Sequence, residues 1–301
     1  MRKWLGPVAM AMLVAGGAAA WLGEIDPDVN LSSASEVWAD VLRDADQLGL
    51  RFTRMSDARE MELGQRLASS LPPAGQANQE AYVTAVGSAL VPHVRRTGIR
   101  YRFHVLDSPE ENAFALPGGQ VFVFSGLLAR IQSEAELAYV LGHEMSHVDL
   151  RHAVERYQDE VVLERVGAPP AARIAETVRR VVARGYSKFE ELEADAEGMR
   201  LCAQAGYDPE AAVRFYQRFR PGEPLTRAAN PLDEAAGALR EQVGSYFATH
   251  PPDAERIRRL EALAGRNHKR LAGQPVYEGV ENYRRQVPMS AARYEGEVTG
   301  R

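Results

Sequence analysis

The sequence carries a single cysteine, Cys202, among 301 residues. One thiol cannot close an internal disulfide, and it cannot build the paired-cysteine knuckle of a structural zinc finger. No cysteine follows the apolar run near the N-terminus, so a lipid anchor has no point of attachment there. The net charge is only −5, which gives no broad basic field and argues against nucleic acid as a partner. After residue 23 no segment is long and apolar enough to cross a bilayer, and no internal repeat is visible. What is present, 45% hydrophobic and 26% charged residues, is the composition of a globular chain long enough to bury one sizeable core.

The N-terminus departs from that average. Arg2 and Lys3 precede an uncharged run from Trp4 to Gly23, and Glu24, Asp26 and Asp28 follow. A basic start, an apolar stretch and the small Ala18-Ala19-Ala20 end fit a secretory signal. The run is also about long enough to span a bilayer uncleaved, and a third option is a helix buried within the fold. Either membrane reading keeps Arg2 and Lys3 inside and places the bulk of the chain outside the cytoplasm, secreted or anchored through residues 4–23. The expected organisation is a leader or anchor over 1–23, a helical segment over 24–56, one catalytic domain over 57–265, and a tail over 266–301.

Helical spacing marks Ser35–Leu48, about Asp57–Ser70, which ends at Leu71-Pro72-Pro73, and Ala81–Val94. The period then changes to alternation at Tyr101–Leu106 and again at Gln120–Phe124, with Asn112–Leu116 leading into Pro117-Gly118-Gly119 between them. Ser133 and Glu136 predict a capping box. From there Leu137, Val140, Leu141, Met145 and Val148 form an apolar helical face. A helix pair follows, broken at Gly167–Pro170 and at Gly185. A further helix spans about Phe189–Ala205, stopped by Gly206 and Pro209, and the chain from Gly273 onward reads as irregular. Strands in one block with helices around them predict an α+β fold, mostly helical with a small sheet, and not a doubly wound one.

The helix after Ser133 carries His143-Glu144-Met145-Ser146-His147. Histidines one turn apart lie roughly 6 Å from each other, close enough for two imidazoles to share a cation. Glu144 cannot reach the same coordination position but can hydrogen-bond a water on the metal, which is why this spacing suits hydrolysis. A bare match is weak, since a polar-faced helix with two surface histidines has the same letters. A catalytic zinc needs a third protein ligand. The extended motif with a third histidine is excluded because Leu150 and Ala153 occupy its extra positions. His152, about 140° around a continuing helix from His147, reads as a neighbour and not a ligand. A glutamate from a later helix, with an aspartate four residues on, is the other solution, and Glu191 with Asp195 provides it. Glu36/Asp40 and Glu155/Asp159 share the spacing. The first pair lies upstream of both strands, and Glu155 is expected on the metal helix itself, about 12 Å along the axis from His147, too far to fold back. Glu190 and Glu193 compete with Glu191.

Taken together these residues resemble the HtpX/BepA-type family of zinc metalloendopeptidases, which includes CAAX prenyl-processing and mitochondrial Oma-type enzymes. Asn112-Ala-Phe-Ala-Leu-Pro-Gly-Gly is similar to that family's NAF-and-PGG segment, ahead of Val121–Leu128. Ser187-Lys188-Phe-Glu-Glu191-Leu-Glu-Ala-Asp195 is similar to its SRxxExEAD box, with Lys188 in place of the usual arginine. Ala205–Pro209, Thr249-His250-Pro251 and Arg256–Leu260 resemble later landmarks, so the likeness covers about 57–265. It implies a zincin-like domain whose edge strand borders the cleft, with one Zn2+ per chain on His143, His147 and Glu191. Glu144 would be the general base and Asp195 the partner of a ligand imidazole. His250 would act near the metal, as a latch or as a donor to the reacting oxygen. Asn112, Ala113 and Phe114 would contact an extended polypeptide substrate, and Arg256 would either hold developing charge or form a salt bridge. The expected activity is peptide-bond hydrolysis outside the cytoplasm, as in periplasmic members with one leader, with envelope protein quality control as its setting. The tetratricopeptide tail of BepA has no counterpart. Rival readings are a silent or latched zinc-containing chaperone or adaptor, and a zinc amidase acting on the cell wall.

Overall fold

Ser56 opens the first described helix of the computed structural model, its hydroxyl accepting from the Arg59 N–H at 3.4 Å. The structure describes residues 55–71, 76–157, 178, 181–183, 185–218, 246–251, 254–271 and 274–299. The leader over 1–23, the Ser35–Leu48 helix and the break at Gly167–Pro170 fall outside them. Helix α1 (Asp57–Ala68) is tied down by Glu60, which is fully buried and accepts from Arg96 and from the Gly118 N–H. Helix α2 (Ala77–Leu90) starts four residues ahead of the expected Ala81, because its first turn is exposed and polar and so carries no apolar periodicity. It gives way to a 3-10 turn at Val91–His93, where Pro92 has no N–H to continue an α-helix.

Three strands follow: β1 (Arg102–Leu106), β2 (Ala113–Leu116) and β3 (Gln120–Phe124). Their order is β1-β3-β2, with β1 parallel and β2 antiparallel to β3, so β2 forms an edge as expected. Alternation sorts the sheet into two faces. Phe103, Val105, Ala113, Ala115, Val121 and Val123 join the main core, while His104, Phe122 and Phe114 stack in a row on the other face. The turn from β2 to β3 depends on Gly118, with φ +70°, where a Cβ would lie 2.4 Å from Met61 Cα. Only glycine fits there.

Beyond the short helix α3 (Ser125–Leu128) lies α4 (Glu134–Asp149), and every one of its residues is buried. It is therefore not a surface helix with one apolar face but the central rod of the domain. Only half of the expected capping box forms. Ser133 accepts from the Glu136 N–H at 3.2 Å, but the Glu136 carboxylate accepts from the Gln132 N–H and pairs with Arg218. A complete box opens α5 (Lys188–Gln204), between Ser187 and Glu190. Helices α4 and α5 cross in near backbone contact, because a Cβ on Gly198 would sit 2.8 Å from the His143 backbone nitrogen. Gly198→Ala is accordingly expected to cost about 1–3 kcal/mol of stability through overpacking. A thermal melt alongside metal content checks it, and both should fall.

Helices α6 (Glu210–Arg218), α7 (Tyr246–Thr249) and α8 (Ala254–Arg270) come next, and the boundary expected at 265 falls inside α8. The chain past Gly273 is not irregular. It forms β4 (Val276–Tyr277), α9 (Val280–Arg285) and β5 (Val298–Thr299), with β4 and β5 antiparallel. Strands of two residues are too short to show a period, which is why the sequence pattern misses them. The Gly279 and Glu278 carbonyls accept from the Glu134 and Ala135 N–H groups, each at 3.0 Å, so this tail caps the first turn of the central helix. Among the described residues no helix is long and apolar enough to cross a membrane.

Candidate metal centre

Helix α4 presents two imidazoles one turn apart, α5 presents a carboxylate, and the residue after α7 adds a third imidazole. His143, His147, Glu191 and His250 place one ligand atom each within 4.8 Å of one another, and all four residues are buried. His143 Nε2 and His147 Nε2 lie 3.2 Å apart. Glu191 Oε2 is 3.5 Å from the former, and Glu191 Oε1 is 3.6 Å from the latter. Donors held about 2.0–2.1 Å from one ion at tetrahedral corners are separated by about 3.3–3.4 Å. Each of these separations is close to that spacing, with the Glu191 carboxylate turning one oxygen to each imidazole. His250 Nδ1 stands beside it, 3.2 Å from His143 Nε2 and 2.7 Å from Glu191 Oε1.

Glu144 faces the same point. It is fully buried, and neither carboxylate oxygen accepts a hydrogen bond among the described residues. Its nearest basic neighbour is His250 Nε2, at 3.4 Å from Oε1. A buried carboxylate without a donor is costly unless the site brings one. This orphaned acid beside an imidazole-carboxylate triangle fits a metal with an exchangeable water. Burial raises the Glu144 carboxyl above its ordinary range, against the opposing pull of His250 and His143.

Behind the triangle, His143 Nδ1 lies 3.0 Å from Asp195 Oδ1, and Tyr139 donates its hydroxyl to the same oxygen at 2.9 Å. Burial disfavours a charged His143, yet the hydrogen bonds to Asp195 and Glu191 outweigh it and lift its pKa to about 9. Burial also works against ionised Glu191 and Asp195, but both are held below the usual carboxylate range, Glu191 chiefly by His250 and Asp195 chiefly by Arg256. The result is two buried ionised carboxylates, each held in place by cationic or imidazole neighbours.

Of the two roles open to Arg256, the structure contains the salt bridge. It is 1% exposed. Nε and Nη2 donate to the two oxygens of Asp195, Nη2 also to the Tyr216 hydroxyl, and Nη1 to the Pro251 carbonyl. Nη1 also lies 2.7 Å from Glu191 Oε2. His152 lies outside the four-residue group. The central helix ends at Asp149, and Arg151 at φ +72° turns the chain, so the 140° extrapolation does not apply. His152 instead meets the back of His147, with its Nδ1 3.1 Å from His147 Nδ1. Glu155 likewise sits on the next helical stretch, over 152–157, and not on α4.

Asn112 is fully buried, and its Oδ1 accepts from the Ala113 N–H at 2.8 Å and from Thr249 Oγ1 at 3.5 Å, tying β2 to the segment that carries His250. Asn112 O accepts from the Phe124 N–H, so by antiparallel alternation the remaining backbone groups of Ala113 and Ala115 point away from β3. A crease lined by Phe114, Ala115, Tyr157, Val182, Tyr186 and His250 runs alongside. Sequence reasoning missed Tyr186, whose ring stacks on His147 at 3.5 Å, and Tyr139. Tyr139 lies four residues before His143 on the same helix, a spacing that could have found it.

With this geometry in place the comparisons are specific: the chain belongs to peptidase family M48, matched over residues 77–264. That is the family the motifs resemble. The mitochondrial metalloendopeptidase OMA1 of Schizosaccharomyces pombe is 30% identical over 207 residues, covering 66% of this chain and 56% of that protein. OMA1 of Arabidopsis thaliana is 33% identical over 171 residues, 54% of this chain and 31% of that one. The beta-barrel assembly-enhancing protease of Escherichia coli is 29% identical over 208 residues, 60% of this chain and 43% of that protein. The chain thus spans about half or less of the length of these relatives.

Proposed function

We propose that the chain is a zinc-dependent endopeptidase that hydrolyses peptide bonds of protein substrates outside the cytoplasm. The observation that carries this reading is the convergence of His143, His147 and Glu191 donor atoms, 3.2–3.6 Å apart, beside a buried Glu144 carboxylate that accepts no hydrogen bond among the described residues. His143, His147 and Glu191 would hold the zinc, one ion per chain. Zinc at such a site supplies Lewis acidity and lowers the pKa of a water to about 7. Glu144 takes the proton from the attacking water and delivers it to the leaving amine, a task that its burial-raised pKa suits. Asp195 fixes the tautomer of His143 and raises its basicity. His250, whose ring reaches both Glu191 and Glu144, belongs to the same centre. It would close the site as a latch or, turned aside, steady the substrate oxygen.

The substrate would lie extended along β2, pairing with the Ala113 carbonyl and the Ala115 backbone groups that face away from β3, with Phe114 in the wall of the crease. The basic-then-apolar start at Arg2–Gly23 supports the extracytoplasmic setting. Envelope protein quality control is a role in keeping with the assembly-enhancing protease among the relatives. Casein hydrolysis with and without a chelator tests the activity. The expected result is loss on chelation and recovery with zinc. Full cleavage in the chelated protein contradicts it. Zinc binding without cleavage of any polypeptide favours the adaptor reading, and turnover of small amides alone favours the amidase.

A further inference from the structure

The two imidazoles of the central helix are backed differently. His143 has a carboxylate behind it, Asp195, itself clamped by Arg256. His147 has another histidine: His147 Nδ1 is 3.1 Å from His152 Nδ1, and His152 Nε2 is 3.3 Å from Glu193 Oε2. His152 is 5% exposed, whereas the Glu193 side chain is 43% exposed, so the chain of contacts runs from the buried centre outward to solvent.

Proton placement along this chain is tightly constrained. His147 turns Nε2 toward the centre, beside His143 Nε2, so a ligating His147 carries its proton on Nδ1. That N–H meets His152 Nδ1, which can accept only if the proton of His152 sits on Nε2. The Nε2–H then meets a carboxylate, which is an acceptor only. One tautomer of each ring satisfies every contact, and the series ends on a negative charge. The His147 ring is also fixed from its face: Tyr186 stacks on it at 3.5 Å with 7° between planes, and the Arg156 guanidinium lies 3.9 Å over the Tyr186 ring.

From this geometry we propose that His152, with Glu193 behind it, is a positioning residue for His147, the counterpart of Asp195 behind His143. The relay gives a function to Glu193, one of the glutamates that compete for the metal on sequence spacing alone. It rests on the reading of this site as a metal centre. A histidine serving only as packing would leave the metal indifferent to the acceptor at position 152, which separates the two roles.

The test is the rate at which zinc passes from the loaded full chain to a chromophoric chelator, together with the visible spectrum of the cobalt-substituted protein. His152→Ala should release zinc about 10–100-fold faster than wild type and shift the cobalt bands. His152→Asn, whose Oδ1 falls where Nδ1 was, should return release to within about threefold of wild type. Release from His152→Ala at the wild-type rate, or equal acceleration in the Ala and Asn variants, overturns the relay. Should the Ala variant fail to fold, Glu193→Gln on the exposed end decides: faster release supports the relay, and unchanged release with unchanged cobalt bands overturns it. A wild-type chain that takes up no zinc would sink the metal-centre reading itself, which is a different outcome from any of these.

Discussion

Glu144→Gln is expected to lower kcat/KM for a polypeptide substrate by about 10²–10⁴-fold, the usual contribution of a positioned proton-transfer group, while one metal ion per chain stays bound. The substitution keeps the shape of the side chain and removes the basic oxygen that no described group satisfies. It leaves the donor triangle of His143, His147 and Glu191 untouched. In the wild type, burial raises the Glu144 carboxyl above its ordinary 4.5. Base catalysis needs the ionised form, so activity should be lost as pH falls through a value higher than that of an exposed glutamate. Rate measurements from pH 4 to 8 with metal content assayed in parallel check both points. A Gln variant that cleaves at the wild-type rate would remove Glu144 from the mechanism.

Arg256→Met should be costly in a different currency, about 3–5 kcal/mol of folding stability. The loss comes less from forfeited attraction than from what remains: Asp195 and Glu191, each 2% exposed, with no guanidinium between them. Lysine should rescue poorly, because one ammonium cannot reproduce the forked contact with Asp195 and the reach to Tyr216. Urea unfolding gives the stability term, and KM against kcat separates it from substrate binding. A stable Met variant with only a raised KM would favour Arg256 as a substrate contact.

Much of the site was legible because its chemistry is local. The His143–His147 spacing, the acid beside it, and Glu191 followed by Asp195 are each contained in one helical turn or two. The complete box lies at Ser187 and Glu190, equally local in sequence, whereas the Ser133 signal forms half a box. What did not show depended on long-range burial. Nothing near Arg256 in sequence says that its guanidinium ends beneath Asp195, 61 residues away. The turn at Arg151 ends the helix where the pattern suggested continuation, and that single left-handed residue brings His152 onto His147. The tail was hidden because its strands are two residues long and its work, capping Glu134 and Ala135 with backbone carbonyls, leaves no side-chain signature.

Metal-edge X-ray absorption on the purified chain, compared with Glu191→Ala, tests the convergence of these side chains most directly. The expected result is one zinc per chain with two imidazole nitrogens and a Glu191 oxygen about 2.0–2.2 Å away, and loss of the oxygen in the variant. A chain that binds no zinc, or a shell that is the same with and without the Glu191 carboxylate, would contradict it.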